Sequence, residues 1–488
     1  MSQFGVSVTT DEQLQAGAGV PVNTGTAFFA GACDQGPPPS SGVSYIKCQS
    51  LNDYITAFGV RSATSASLYD TLDAFFQEQG SLAYVTRVTD NTATSAALTL
   101  NDSGSRPTVT ITAATPGTAG NAVYIVVTVA SSRFTVTVQD AAGDVLETHG
   151  PYSATSALFA DTTSTLVTFA QSTAAGNTTN NPVASAAAPL TGGADANDLT
   201  DASYVSALAN FPGSLGPGTV AIPGKASSTI WSGLLAHAQS TNRFAALDVA
   251  DSSVAATVIS SIGSIGTASN ASYGAFTSGS CTIPGITPGT TRMVAGSAIF
   301  AALRAQVAAT GNDNQAPAGI NWPLRYVTGL TNVFNTADRA SLIAAGINPW
   351  AIRFGVPCLY GTVTPVSPSA DAIFWQFAPA CERMAFVADA TEIMESYLFD
   401  VLDGQGHTIT AAQGALQGLI ADHWRAGALY GRTVTDAGSV LVGAPINTAS
   451  TAQAAQLNAN AQIRISPTAQ AINLTITSVP VTQTVVPA

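Results

Sequence analysis

The sequence has little charge. Only 9% of its 488 residues are Asp, Glu, Lys or Arg, against about a quarter in typical soluble domains, and lysine occurs only at Lys47 and Lys225. Polar uncharged side chains must therefore solvate the surface, or neighbouring molecules must cover much of it. The second interpretation suits a component of a large assembly. A third interpretation, that the abundant Ala, Gly, Ser and Thr reflect a GC-rich genome, is equally open.

Positive charge is scarcer than negative charge. The formal net charge is −13 and the sequence pI is about 4.5, and an acidic surface repels phosphate backbones, which argues against nucleic acid as a partner. The sequence has no apolar run long enough for a membrane span, and its first residues lack the features of a signal peptide. We therefore expect no membrane insertion and a protein that is made and kept in a cytoplasm-like compartment.

Cysteines are few and far apart. No C-x-x-C pair occurs and the number of cysteines is odd, so neither a disulfide framework nor a zinc site is indicated. We expect the thiols to be small buried hydrophobic groups. They are Cys33, Cys48, Cys281, Cys358 and Cys381.

The sequence also lacks the motifs of common catalytic sites: no G-x-S-x-G, H-E-x-x-H, G-x-G-x-x-G or EF-hand loop occurs. The segment most like a phosphate loop, residues 218–225, has five residues between its glycines where the motif has four. It also lacks the Ser or Thr that would hold Mg²⁺, and Pro223 removes a backbone donor. We predict that it is a strand-to-helix turn, and we expect neither catalysis nor a cofactor.

The titratable side chains do not form an obvious site. The histidines are scattered, and those at 237 and 423 lie in helical patterns, where a packed or capping role is expected. Glu392 and Glu395 are assigned to a solvated helix face, without an acid or base role. Asp400, Asp403 and His407 fall close together and could bind a metal adventitiously, but a loop between two helices is the preferred interpretation.

The segment from Thr24 to Asp90 has the most informative pattern. An apolar run at 27–30 ends in a Gly-Pro-rich break at 36–39. A helical pattern then runs from Leu68 to Gln79, with apolar residues on one face, and Gly80 ends it. Alternation from Leu82 to Val88 predicts a strand. The unit is therefore expected to be strand, loop, helix, strand.

The order of these pieces carries a family resemblance. The segment contains Leu-Asn-Asp-Tyr, then Ala-Phe-Gly at 57–59, and then a helix ending in Phe-Phe-Gln-Glu-Gln-Gly-Ser-Leu-Ala-Tyr-Val-Thr-Arg-Val. In this order the pieces resemble the N-terminal module of contractile phage tail sheath proteins. Further phrases resemble the same family at matching positions. They are Leu-Thr-Gly-Gly-Ala-Asp at 190–195, Val-Ala-Ile-Pro-Gly at 220–224, Met-Val-Ala-Gly at 293–296 and Gly-Ala-Leu-Tyr-Gly at 427–431.

Between residues 91 and 188 the composition shifts to Thr, Ser and Ala. Short alternating runs at 109–111, 123–129 and 134–138 predict strands, and residues 139–144 predict a hairpin turn into a further strand. No helical pattern interrupts them. We expect an all-β insertion of the kind that sheath-like proteins carry on the outside of the tail.

From Pro189 onward, strands and helices alternate, which predicts a right-handed α/β layer. Helices are expected at 200–210, 228–239 and 254–262 and from 296 to 309, with strands at 219–222 and 244–249. A short helix at 338–345 with Gly346 as its cap, a strand at 347–353, and long helices at 381–402 and 411–430 follow. The apolar face of the first long helix is predicted to carry Ile393, Met394, Tyr397, Leu398 and Val401.

Both ends of the chain carry strand patterns. In sheath-like proteins such terminal arms add strands to sheets of neighbouring subunits, and the resemblance implies the same role here. A frayed terminus is the simpler interpretation of the N-terminal pattern. The candidate intersubunit residues are Phe4, Val6, Val8, Ile463, Ile465, Ile472, Leu474 and Ile476.

The expected fold is a mixed α/β, multidomain chain with a sheath-like core. Its expected parts are an N-terminal arm (1–23), an α/β part of the core (24–90), a β-rich surface insertion (91–188), an α/β sheath domain (189–319), a C-terminal sheath domain (320–460) and a C-terminal arm (461–488).

The resemblance implies a structural subunit in the virion that polymerises helically around a tail tube and contracts. The implied partners are copies of itself, the tube protein, and baseplate and tail terminator proteins. It also implies that the C-terminal domain faces the tube, with Arg383 and Arg425 as candidate contacts. The alternative is a virion adhesin or carbohydrate-binding protein, suggested by the Thr/Ser-rich region; a hydrolase ranks third.

Overall fold

The computed structural model describes residues 23–36, 44–89, 92–195, 199–368 and 373–472. The first half of the chain contains β1 (Ala27–Gly31), β2 (Ile46–Cys48), α1 (Leu51–Phe58), α2 (Ala66–Gln77), β3 (Ala83–Arg87), β4 (Ala97–Asn101), β5 (Pro107–Ala113), β6 (Tyr124–Ala130), β7 (Arg133–Gln139), β8 (Val145–Tyr152), α3 (Thr155–Phe159), β9 (Val167–Gln171), β10 (Ser185–Pro189), α4 (Asp201–Ala207), β11 (Thr219–Ala221) and α5 (Ser228–Thr241).

The second half contains β12 (Phe244–Asp248), α6 (Ala255–Ser261), β13 (Gly274–Thr277), β14 (Cys281–Pro284), β15 (Thr291–Val294), α7 (Gly296–Ala308), β16 (Gly329–Leu330), α8 (Thr336–Ala344), β17 (Ile347–Asn348), β18 (Trp350–Arg353), β19 (Val356–Leu359), α9 (Phe377–Glu395), α10 (His407–Arg425), α11 (Val434–Ala437), β20 (Gly438–Leu441), α12 (Ala449–Gln453) and β21 (Asn460–Ile463).

A seven-stranded sheet forms the centre of the fold, in the order β17-β13-β12-β11-β1-β3-β2. Its strands are parallel except for the edge strand β2, which pairs antiparallel with β3. Every residue of β1, β11, β12 and β13 is buried. Helices cover both faces of a parallel sheet, and this is why these strands are continuous apolar runs in the sequence.

Successive residues of β1 belong to opposite sides of this sheet. Phe29 belongs to a core built with α1, α2, α7 and the start of α9, and its ring packs edge-on against Phe75. Phe28 belongs to the core formed with α4, α5, α6 and α8, where it contacts Phe211. The alternation follows from the two-residue period of a strand. The mixed α/β fold expected from the sequence is confirmed, with several sheets and twelve helices in the described residues.

The first unit holds one helix more than predicted. The segment at 51–58, expected to lie in a loop, forms α1, because Ser50 accepts from the backbone N–H of Asp53 while Asp53 accepts from the N–H of Ser50. This reciprocal cap satisfies donors at the helix start and was present in the sequence as Ser-x-x-Asp. The following helix, α2, begins and ends two residues earlier than predicted.

A buried carboxylate closes the end of α2. Glu78 has no exposed surface, and its side chain accepts from the backbone N–H groups of Arg325 at 2.9 Å, Tyr326 at 2.7 Å and Val327 at 3.2 Å. An anion at the C-terminal end of a helix is disfavoured by the helix dipole. Three convergent backbone donors offset that cost and attach the segment around 326 to the end of α2.

Two sheets account for the β-rich region. One has the order β10-β6-β7-β8 and the other β4-β5-β9, and their buried side chains form one core of their own. A short helix, α3, lies between β8 and β9 and packs Leu158 into this core, although the sequence pattern predicted no helix here. The strands of the two sheets fall between Ala97 and Pro189.

The predicted strand at 347–353 is in fact two strands. Pro349 interrupts it, since proline lacks the N–H that a sheet ladder needs. Before the proline, β17 pairs with β13 in the central sheet; after it, β18 pairs with β19 as a hairpin. The side chain of Asn348 donates to the carbonyls of Phe276 and Val363 and holds the junction.

The two long helices also differ from their predicted bounds. Helix α9 starts four residues before Cys381 and ends at Glu395, so Leu398 and Val401, predicted on its buried face, are 62% and 77% exposed. Helix α10 starts at His407 and ends at Arg425, after which Gly427 adopts a φ of +83°. The predicted continuation to residue 430 is excluded because this left-handed glycine reverses the chain.

All five cysteines are free and buried, as expected. Burial raises the pKa of Cys381 to about 12, so this thiol stays protonated at neutral pH. Among the described residues, no helix is both long and apolar enough to cross a lipid bilayer.

Candidate assembly sites at the chain ends

Several predicted intersubunit residues cannot be placed. Phe4, Val6, Val8, Leu474 and Ile476 lie outside the described residues. Ile472 is described and is 88% exposed. The role of these residues in contacts between subunits stays a prediction.

Ile463 and Ile465 pair within their own chain. Ile463 ends β21, which runs antiparallel to β20 in a two-stranded sheet, and Ile465 forms a bridge with Leu429 and is 8% exposed. The sequence placed both residues in a donated arm. Within the single chain, residues 438–441 supply a partner strand that the sequence pattern did not reveal, and a role of these two isoleucines between subunits stays a prediction.

The β20-β21 sheet packs on α10 and leaves two edges. The close approach of Gly438 to Ile420, where a Cβ would lie 3.1 Å from the isoleucine side chain, fixes the sheet against the helix. Within the described ranges, no third strand pairs with either β20 or β21. A two-stranded sheet is marginal by itself, and an open edge presents unpaired N–H and C=O groups that accept an additional strand.

The start of the described chain is held by a buried ion pair. The hydroxyl of Thr24 donates to the carboxylate of Asp313 at 2.8 and 3.0 Å, and Asp313 accepts from Arg304 at 2.8 Å. Thr24 and Arg304 are 5% and 2% exposed. Burial raises the pKa of Asp313, and the neighbouring Arg304 opposes the rise. The N-terminal segment is thus fixed where it enters the core.

The end of the described chain is held by the same loop. Asn314 donates from its side-chain amide to the carbonyls of Ala428 at 2.9 Å and Ser466 at 2.8 Å, and Asn312 donates to Ala426 at 2.7 Å. We call residues 312–314 the anchor loop. Within this loop, Asp313 binds Thr24 and the next residue, Asn314, binds Ser466. The bases of both terminal segments therefore lie side by side.

The anchor loop was missed by the sequence analysis. The partners of Asp313 and Asn314 are 289 and 152 residues away along the chain. Residues 312–314, Asn-Asp-Asn, are typical of any polar turn. No local sequence pattern distinguishes a turn that is only solvated from a turn that binds the bases of both terminal segments.

A partly buried histidine joins the two long helices. His423 on α10 lies 2.6 Å from the carboxylate of Glu382 and 3.2 Å from that of Asp389, both on α9. Burial by itself would lower the pKa of His423, but the two carboxylates outweigh it and raise the pKa to about 9. Burial also raises the pKa of Glu382, against the effect of His423. The geometry favours a charged imidazolium between two acids, and the packed role expected for His423 is confirmed.

This arrangement predicts a pH-dependent stability. The pKa of His423 is higher in the folded state, about 9, than in the unfolded chain, about 6.5. Its contribution to the free energy of unfolding is therefore complete below about pH 6.5 and is lost as pH rises through 9. We expect His423→Gln to remove a pH-dependent part of the free energy of unfolding, about 3 kcal/mol in size. Urea unfolding at pH 6 and pH 9.5 measures it.

The matched control is His407→Gln, because the ring of His407 is 76% exposed. This variant should keep the wild-type difference between the two pH values. An equal loss of that difference in both variants would contradict the assignment to His423.

Of the two arginines proposed to face the tube, one is partly buried and packs against aromatic rings. The guanidinium of Arg383 lies 4.1 Å from the ring centre of Tyr273 and 4.2 Å from that of Phe374. In the single chain it therefore joins α9 to neighbouring segments instead of projecting from the surface, a contact between distant segments that helix periodicity does not reveal. Arg425 is exposed at the end of α10 and pairs with Asp422, and its contact with a tube stays a prediction.

The segment most like a phosphate loop forms an ordinary connection between a strand and a helix. Residues 218–225 lead from β11 into α5, the predicted strand-to-helix turn. Strand order reverses at β1, the position where open α/β sheets bind ligands, and a cleft of about 240 Å³ lies there. The ammonium group of Lys225, which lines it, lies 4.5 Å from the ring centre of Tyr204.

The acidic segment before α10 is a helix start. Asp403 accepts from the N–H groups of Gly406 at 2.6 Å and His407 at 2.9 Å, and it contacts the ring of His407. These bonds satisfy donors at the beginning of the helix. In the part of the chain that the structure describes, no group of three or more His, Cys, Asp or Glu residues is arranged to hold a metal ion.

The architecture defines the class of fold: this is a mixed α/β chain with the fold of tail sheath proteins. The sheath tail protein of Listeria innocua is similar with a TM-score of 0.63 and 14% identity, over 88% of this chain and 91% of that one. That of Desulfitobacterium hafniense is similar with a TM-score of 0.57 and 15% identity, over 90% and 93%.

A third similar structure is the helical sheath of the anti-feeding prophage in its contracted state. It matches with a TM-score of 0.54 and 16% identity, over 98% of this chain and 99% of that one. No protein-family model matches the sequence, and no curated protein matches it either. The structure therefore confirms the fold expected from the resemblance. The sequence identities are too low for a sequence alignment alone to show this fold.

Proposed function

We propose that this protein is the subunit of a contractile tail sheath. It polymerises helically around a tail tube, and contraction of the polymer drives the tube through the envelope of a host cell. The observation that carries the proposal is the similarity of fold along nearly the whole chain to sheaths, one of them a helical sheath in a contracted state.

Assembly is proposed to use the two ends of the chain. Arm 1–23 and the part of arm 461–488 beyond Ser466 would add strands to the sheets of neighbouring subunits, and the open edges of β20 and β21 are suited to receive them. The residues that would pair are Phe4, Val6, Val8, Ile472, Leu474 and Ile476. Such contacts are heterologous, and heterologous contacts that do not close give helical polymers.

The remaining parts take the roles expected of a sheath subunit. The region 91–188 decorates the outside of the tail, the blocks 24–90 and 189–319 form the body, and the block 320–460 faces the tube, with Arg425 as a candidate contact. The partners are further copies of this chain, a tube protein, and baseplate and tail terminator proteins, within a virion assembled in the bacterial cytoplasm. We propose no catalytic activity, since contraction is a switch between two lattices.

Negative-stain electron microscopy of the purified full chain tests this proposal. We expect hollow tubes or stacked rings. A species that stays strictly monomeric at high concentration would overturn the proposal. The alternative, a carbohydrate-binding adhesin, is not favoured, because the similarity to sheaths covers the whole chain and not the β-rich region alone.

A further inference from the structure

An exposed apolar surface with positive charge lies at the tip of the β18-β19 hairpin. Phe354, at the turn, is 86% exposed, and Ile352 and Val356 beside it are 45% and 37% exposed. Arg353 lies with its guanidinium 5.3 Å from the ring centre of Tyr360. We call this surface the hairpin patch; it consists of Arg339, Ile352, Arg353, Phe354, Val356 and Tyr360.

Among the residues that the structure describes, no carboxylate neutralises the charge of the hairpin patch. Arg339 also approaches the ring of Tyr360, at 5.3 Å, and donates to the carbonyl of Phe334. Across the described residues, neither Arg339 nor Arg353 forms an ion pair with a carboxylate. In a chain with a net charge of −13, two unpaired arginines around an exposed phenylalanine are a distinctive surface.

A second exposed apolar surface, of opposite charge, follows α9. Phe399 is 95% exposed and has a φ of +73°, and Leu398 and Val401 are also largely exposed. Exposed carboxylates lie close to them along the chain. We call this surface the helix-end patch; it consists of Glu392, Glu395, Leu398, Phe399, Asp400 and Val401. None of its three acids forms an ion pair in the described part of the chain.

One subunit does not bring its two patches together. The hairpin is rooted through Trp350 and Leu359 in the same core as Phe377, at the start of α9. The helix-end patch follows the other end of this 19-residue helix, which is about 28 Å long at 1.5 Å per residue. The exposure of Phe354 and Phe399 shows that neither patch covers the other within the chain.

We propose that the hairpin patch of one subunit docks on the helix-end patch of a second copy. Each patch offers apolar surface for burial, and the arginines of the first complement the carboxylates of the second, which specifies the pairing. Because the two surfaces differ, the contact is heterologous and continues from copy to copy. The inference rests on the proposed self-assembly and names a contact within it that involves neither arm.

A charge swap between the patches tests this contact. We expect Arg353→Glu and Asp400→Arg each to raise the concentration at which the full chain assembles by about tenfold, because each places like charges in contact. The double variant, which exchanges the charges, should restore assembly to near the wild-type concentration. Sedimentation velocity over a concentration series measures assembly, and circular dichroism confirms that each variant is folded.

The matched controls are Arg133→Glu and Asp144→Arg, which change the net charge equally at exposed positions of the β-rich region. They should assemble as the wild type does. Single patch variants that behave like these controls, or a double variant that is worse than both singles, would overturn the proposed contact while leaving the sheath function intact. Variants that self-assemble normally but lose binding to the tube protein would also overturn it, in favour of the tube as the partner.

A wild-type chain that never assembles would overturn the proposed function together with this contact. Failure of the contact alone is recognised when the wild type assembles and the charge swap has no specific effect. The two failures are therefore distinguishable in the same set of measurements.

Discussion

Deletion of residues 1–22 is expected to give a folded subunit that assembles at least about a hundredfold less readily than the intact chain. The deletion stops before Thr24, whose hydroxyl is bound to Asp313 in the core, so the body of the subunit keeps its attachment. The deletion removes the proposed donated strand, whose main-chain hydrogen bonds, at about 0.5–1.5 kcal/mol each, would join neighbouring subunits. Sedimentation and electron microscopy measure the loss.

A substitution series separates a donated strand from a merely frayed end. Changing Phe4, Val6 and Val8 to Asn removes the apolar face of the predicted strand, and assembly should weaken as in the deletion. Changing the alternate residues Gly5, Ser7 and Thr9 to Asn alters the opposite face and serves as the control. If all three chains assemble like the wild type, the N-terminal segment has no part in the joints.

Glu78→Ala is expected to lower the free energy of unfolding by about 3 kcal/mol. The substitution leaves the backbone N–H groups of Arg325, Tyr326 and Val327 without the acceptor that now lies within 3.2 Å of each. Unpaired buried donors carry their full desolvation cost. Urea unfolding followed by fluorescence measures the change.

Two further variants test whether the lost hydrogen bonds of the carboxylate cause the loss of stability. Glu78→Gln keeps one acceptor oxygen and should lose about half as much stability, whereas Glu395→Ala, at an exposed carboxylate, should stay within about 0.5 kcal/mol of the wild type. A loss in Glu78→Ala no larger than that in Glu395→Ala would mean that the carboxylate does not hold the segment around 326.

The sequence was most informative where structure depends on near neighbours. The apolar run of β1 and the helical period of α2 are visible in short stretches of sequence. The predicted bounds of both elements lie within two residues of the observed bounds. Local signals were also present where the interpretation failed. The cap at Ser50 marked α1, and Pro349 marked the division of the predicted strand.

What could not be predicted depends on contacts between distant residues. Helix α9 was extended to Leu402 because Leu398 and Val401 continue its apolar pattern, and no sequence pattern shows that these residues are exposed after the helix has ended. Arg383 was a candidate for contact with a tube because of its place on a helix, and its packing against the rings of Tyr273 and Phe374 could not be predicted from the helical pattern. The attachment of both chain ends to one loop is of the same kind.

The anchor loop has a mechanical consequence. In the proposed polymer, a pull on the N-terminal arm would reach Asp313 through Thr24 and a pull on the C-terminal arm would reach Asn314 through Ser466, so part of the tension between the two joints would pass across a single peptide bond. The rest of that tension would enter the seven-stranded sheet, because β1 begins at Ala27, only a few residues after Thr24, whereas the β-rich region, which has a core of its own, lies outside both paths. The anchor loop would therefore couple the two proposed joints of each subunit directly, with the β-rich region left unloaded.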